Sequence, residues 1–75
     1  MKDYNFTLFH KSIDNVCIAR SKVDKAEMEL IGSTYEADYT YEEDCVLHDV
    51  RYKMETVKSL LDEICKDLCD LERGS

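Results

Sequence analysis

The stretch LHDVRYKMETVKSLLDEICKDLCDL, residues 47–71, decides the fold. In it Leu47, Val50, Met54, Val57, Leu61, Ile64, Leu68 and Leu71 follow one another at alternating steps of three and four. That spacing returns each apolar side chain to one side of a helix. It persists for more than three heptads, which is the pattern of a coiled-coil seam. The intervening positions are mostly charged. Asp49/Lys53, Arg51/Glu55, Lys58/Asp62 and Asp62/Lys66 set opposite charges four residues apart, where an exposed helix gains roughly 0.2–0.5 kcal/mol per pair. Val46 and Leu60 widen the apolar stripe beyond what a single partner helix covers.

The first half carries a weaker copy of the same period. Phe9, Ile13, Val16, Ala19, Val23, Ala26 and Leu30 again step by three or four. Ala19 and Ala26 are small enough for close helix approach. Residues 4–9, YNFTLF, also alternate as a strand would, but a lone strand has nothing in this chain to pair with, so the helix is read from about residue 4. Gly32, just after Leu30 and Ile31, stands where a left-handed C-terminal cap belongs. Thr40-x-x-Glu43 is a capping box that opens the second helix. Glu42, Glu43 and Asp44 follow in its first turn, where the helix dipole favours negative charge. Ser33-x-x-Glu36 competes as a start and predicts a short extra turn at 34–38. Gly74 ends the second helix.

The expected architecture is therefore all-α. Two long helices, about 4–31 and 40–73, form an antiparallel helical hairpin within a single domain of residues 1–75. Two helices alone cannot cover stripes this wide. The expectation is a homodimer, two hairpins closing into a four-helix bundle. Its interface would draw on Phe9, Ile13, Val16, Val46, Met54, Val57, Leu60, Leu61, Ile64 and Leu68.

Composition narrows the functional classes. The net charge of −7 is concentrated: residues 32–49 hold six carboxylates and no lysine or arginine, while the flanking halves nearly balance. An acidic surface repels phosphate, so direct nucleic-acid binding is not expected. No apolar run approaches the ~20 residues of a membrane span. The N-terminus has no long apolar stretch behind its lysine, which argues against a secretory signal. Cys17, Cys45, Cys65 and Cys69 lie in a chain with two glycines and no proline, unlike a loop-rich disulfide scaffold; reduced thiols and a cytoplasmic location are expected.

The excess charge falls in the connection and first turn, STYEADYTYEED (33–44). Three readings of it compete: a solvated helix start, a protein-recognition surface, and a calcium loop. The last lacks the Asp-x-Asp-x-Asp-Gly order and central glycine. As a recognition surface, Tyr35, Tyr39 and Tyr41 supply stiff contact area, and Glu36, Asp38, Glu42 and Glu43 would orient lysine or arginine of a partner. Such an array can also mimic phosphate in a basic groove, an analogy of class with small acidic inhibitors of phage and mobile elements.

Other constellations are weaker. His10, Cys65 and Cys69 are expected roughly level and supply three zinc-type ligands, but Cys-x-x-x-Cys inside a helix is not a usual zinc knuckle. Cys45, His48 and Asp49 are neighbours on one exposed helix with no pocket to exclude water. No catalytic residue, metal or cofactor is assigned. The sequence reading is a small acidic, non-enzymatic interaction protein that binds a basic surface of a partner. The alternatives are a coiled-coil subunit or assembly adaptor that uses its apolar stripe, and more remotely a metal-dependent sensor.

Overall fold

A computed structural model describes residues 3–74 of the chain. Two helices, α1 (Phe6–Thr34) and α2 (Tyr41–Arg73), run antiparallel and are joined by residues 35–40. There is no strand among the described residues. The all-α helical hairpin expected from the apolar period is what forms. It is a rod of 55 × 16 × 13 Å, slightly longer than the ~50 Å that a ~1.5 Å rise per residue gives the 33-residue α2.

The helix ends follow local chemistry. Thr40 and Glu43 close the capping box in both directions: the Glu43 N–H donates to Thr40 Oγ1 at 3.2 Å, and the Thr40 N–H donates to Glu43 Oε1 at 3.2 Å. α1 starts two residues later than expected, because Asn5 caps it by accepting the Leu8 N–H at 3.0 Å. Its far end also differs from expectation. Gly32 lies inside the helix, which continues to Thr34, and no glycine has a positive φ among the described residues. Ser33 Oγ and Thr34 Oγ1 donate to the Leu30 carbonyl at 2.9 and 2.8 Å, so hydroxyls in the last turn take the place of a left-handed cap. Tyr35 keeps right-handed backbone (φ −58°, ψ −43°). The short extra turn expected at 34–38 is a single hydrogen-bonded turn at 35–36, closed by the Ala37 N–H on the Thr34 carbonyl at 3.3 Å.

The packing departs from the predicted seam in its second half. Leu47, Val50, Met54, Leu61 and Leu68 are half-buried, as are Phe9, Ile13 and Val16. Between Met54 and Leu61, however, the inward position belongs to Lys58, and beyond Leu61 it passes to Cys65, Leu68 and Glu72. Val57, Leu60 and Ile64 are turned outward and exposed, as is Leu71. No apolar side chain among the described residues is fully buried.

The two most buried residues are charged: Glu27 and Lys58, 8 and 7% exposed. Lys58 Nζ donates to Glu55 Oε1 (2.9 Å), Glu27 Oε1 (3.0 Å) and Asp24 Oδ1 (3.2 Å). Three carboxylates thus match the three donors of one ammonium group. The sequence pairing Lys58/Asp62 does not form; Asp62 instead takes Arg20 of α1 at 3.2 Å. Hydrogen bonds donated to Glu55 and then to Glu27 push the Lys58 ammonium far above its usual pKa, and the bond accepted from Lys58 holds the Glu55 carboxyl below its usual value. Of the expected helix-face pairs, Asp49–Lys53 forms at 2.9 Å, and that bond raises the Lys53 pKa.

Candidate interaction site at the hairpin tip

The connection folds so that the end of α1 and the first two turns of α2 enclose an open recess of about 580 Å³. Its apolar parts come from Ala37, Tyr39, Val46 and Leu47. Its polar residues are Thr34, Asp38, Glu42 and Glu43. Helical spacing produces the combination: Glu42 and Val46 are four apart, as are Glu43 and Leu47, so acid and hydrophobe share one face of α2. Tyr39, Thr34 and Leu47 also border a smaller recess of about 50 Å³ that includes Leu30, Asp44, His48 and Arg51.

The seven residues assigned to this site from the sequence separate into two groups. Asp38, Tyr39, Glu42 and Glu43 line the recess. Tyr35, Glu36 and Tyr41 lie outside it, and both outer tyrosines are 82% exposed against 41% for Tyr39. Glu43 is engaged by the capping box. Glu36, Asp38 and Glu42 have no ion-pair partner among the described residues. The nearest acidic neighbour along α2, Asp44, lies 3.6 Å from the His48 ring. Sequence reading missed the apolar floor as part of the site, because Val46 and Leu47 read as bundle interface and seam.

Other groups of reactive side chains are apart from the tip. His10 lies against Glu72 at 2.9 Å, not level with Cys65, within a cluster of Tyr4, Phe6 and Phe9 rings near the open end of the hairpin. Cys65 faces Cys17, Sγ to Sγ 3.5 Å. The hydrogen bond to Cys17, with partial burial, pushes the Cys65 thiol up to about 11. The His10/Cys65/Cys69 set weighed for zinc is not assembled, and no group of three His, Cys, Asp or Glu side chains that could hold a metal ion is found among the described residues. Cys45 is exposed, and the His48 ring lies 3.6 Å from Asp44. No helix among the described residues is long and apolar enough to cross a membrane.

The chain matches no known protein family, and neither a curated protein nor a solved structure is similar to it.

Proposed function

We propose that this protein is a small acidic, non-enzymatic interaction module, a regulator or inhibitor that grips a basic surface of a partner protein with its hairpin tip. The recess carries the reading. It combines apolar residues, which would take the stem of a lysine or arginine or a flanking hydrophobe, with Asp38 and Glu42, which no cation among the described residues neutralises. Exposed Tyr35 and Tyr41 extend that surface with residues common at binding hot spots. In this reading the working form is cytoplasmic and dimeric. The hairpin exposes 6048 Å², whereas a compact monomer of 8.8 kDa exposes about 4800 Å². Two copies that each covered the difference would bury about 2500 Å² in total, the size of an obligate homodimer interface.

The test uses Glu36→Gln, Asp38→Asn and Glu42→Gln together, with Glu43 kept because it caps α2. Binding is read by fluorescence anisotropy with labelled peptides in which arginine or lysine flanks a leucine, and with their acidic counterparts. The wild type binds the basic peptides and releases them as salt rises; the triple variant binds them at least about tenfold more weakly with unchanged helicity. Equal affinity of variant and wild type would remove the tip from the function.

A second reading has its own observation. Val57, Leu60 and Ile64 are exposed on α2, and Val57 also lines a recess of about 290 Å³ with Val23, Ala26, Val50, Lys53 and Met54. An assembly adaptor would use that face for another chain. Its isolated form would be a monomer with loose packing, whereas the first reading requires a closed dimer.

A further inference from the structure

The tip reading makes no use of the cysteines, yet two of them meet. Cys17 of α1 and Cys65 of α2 bring their sulfurs to 3.5 Å although 48 residues separate them in sequence. Their juxtaposition is bracketed along the hairpin. One turn toward the tip, Arg20 holds Asp62 at 3.2 Å, and a further turn on, Lys58 holds Asp24 at 3.2 Å. Toward the open end, His10 meets Glu72 at 2.9 Å. These pairs fix the register at which the thiols face each other. To bond, the sulfurs must close by about 1.5 Å, a distance within reach of side-chain rotation.

The two cysteines differ in access. Cys17 is exposed and borders an open recess of about 320 Å³ that also includes Ser21, Lys22 and Lys25. Lys22 and Lys25 both border it, and their positive charge favours the approach of a small disulfide that carries carboxylates, such as glutathione disulfide. Cys65 is half-buried and stays a thiol at neutral pH, its pKa raised to about 11 by the bond to Cys17 and by burial. We propose that Cys17 and Cys65 are a redox-modification site, closed into an interhelical disulfide by exchange with a small anionic disulfide that docks at Lys22 and Lys25.

The exchange balances in two displacements. Cys17 gives its proton to solvent, and the thiolate attacks one sulfur of the reagent. The reagent's S–S bond breaks, a Cys17–reagent bond forms, and one reagent thiolate leaves. Cys65 then loses its proton and attacks the Cys17 sulfur, forming the Cys17–Cys65 bond and expelling the second reagent thiolate. The protein is oxidised by two electrons, the reagent is reduced to two thiols, and the two protons end on the departing thiolates. The product ties α1 to α2 around the whole tip.

The experiment equilibrates reduced full-length protein in glutathione buffers of graded oxidised-to-reduced ratio, traps free thiols with an alkylating maleimide, and maps the products by mass spectrometry. The expected result is a monomolecular crosslink joining the Cys17 and Cys65 peptides, with Cys45 and Cys69 alkylated. At a given ratio it forms at least about tenfold more in native protein than in urea-unfolded protein, because the fold holds the pair together. The oxidised protein melts about 10 °C or more above the reduced protein. Cys17→Ser and Cys65→Ser each abolish that rise, and Cys45→Ser keeps it. Lys22→Gln with Lys25→Gln slows closure by glutathione disulfide but not by a cationic disulfide such as cystamine. Alkylation of Cys17 and Cys65 at every ratio, a crosslink from Cys65 to Cys69, or equal yield in native and unfolded protein would overturn the pairing. Equal slowing with both reagents would overturn the lysine docking.

Discussion

Leu60→Ala combined with Ile64→Ala tests whether two hairpins close on each other. Both residues sit on the outward side of α2, 51 and 44% exposed, so about half of each side chain remains for a partner to cover. Full burial of a leucine or isoleucine is worth about 1.5–3 kcal/mol, and the uncovered half therefore about 1 kcal/mol. A symmetric dimer contains two copies of each. Truncating all four withdraws about 4 kcal/mol from association, close to a thousandfold in the dissociation constant. Alanine is the strongest helix former, so α2 itself does not weaken. Sedimentation equilibrium over a wide concentration range reads the outcome directly. The wild type is expected at twice the 8.8 kDa chain mass, and the variant at the single mass except at the highest concentrations. A wild type that sediments as a monomer throughout, with a cooperative melt independent of concentration, would refute the reasoning. So would a variant that dimerises as tightly as the wild type, since the dimer would then use another face.

Further expectations follow from individual contacts. Thr40→Ala removes the acceptor for the Glu43 N–H; it should cost about 1 kcal/mol and lower the melting temperature by roughly 4–8 °C, read by circular dichroism, while Thr40→Ser should stay near the wild type. Lys58→Met leaves Glu27 buried without a cation and should lower the melting temperature more than Asp62→Asn does, and Lys58→Met with Glu27→Leu should recover most of that loss, as a double-mutant cycle would show. Stability measured by urea unfolding should be flat in pH between two flanks. Glu55, held below 4.5, contributes fully above that value and loses its contribution as pH falls through its lowered pKa. Cys65, raised from 9.0 to about 11, contributes fully below 9.0 and loses it as pH rises through 11; Lys58, raised from 10.5, extends the decline at still higher pH. A maximum confined to acid pH would contradict these pairings.

The helical hairpin was legible because its strongest signals are local. A three-four apolar period and a capping box each act within about one turn; the capping box forms as read, and the period yields the helix even where its later positions do not face α1. The tip was legible in composition but not in shape. Tyr35, Glu36 and Tyr41 read the same as Asp38, Tyr39 and Glu42 in sequence, and only the path of residues 35–40 decides which of them meet Val46 and Leu47. Gly32 misled for a related reason: two neighbouring hydroxyls satisfied the Leu30 carbonyl, so the chain needed no left-handed residue there.

The seam misled for a physical reason that also explains the exposed face. A straight helix of 3.6 residues per turn drifts by about 20° per heptad against a strict seven-residue repeat. Over the length of α2 that drift carries the line facing α1 from Leu47, Val50 and Met54 onto Lys58, Leu61, Cys65 and Glu72. Val57 and Ile64, together with Leu60, are displaced to the side. Polar residues have entered the interface as a matched set: Lys58 meets Glu27 and Asp24, Cys65 meets Cys17, and Glu72 meets His10. Each pair is satisfied at one register only. Sliding either helix by a turn would leave the Lys58 ammonium or the Glu27 carboxylate buried and unpaired, the kind of penalty that lets a buried polar pair specify alignment where aliphatic contacts would tolerate several. The apolar residues so displaced from the hairpin's own interior are left exposed, so the drift that brings the polar pairs into register within one copy also leaves the face that the proposed dimer would cover.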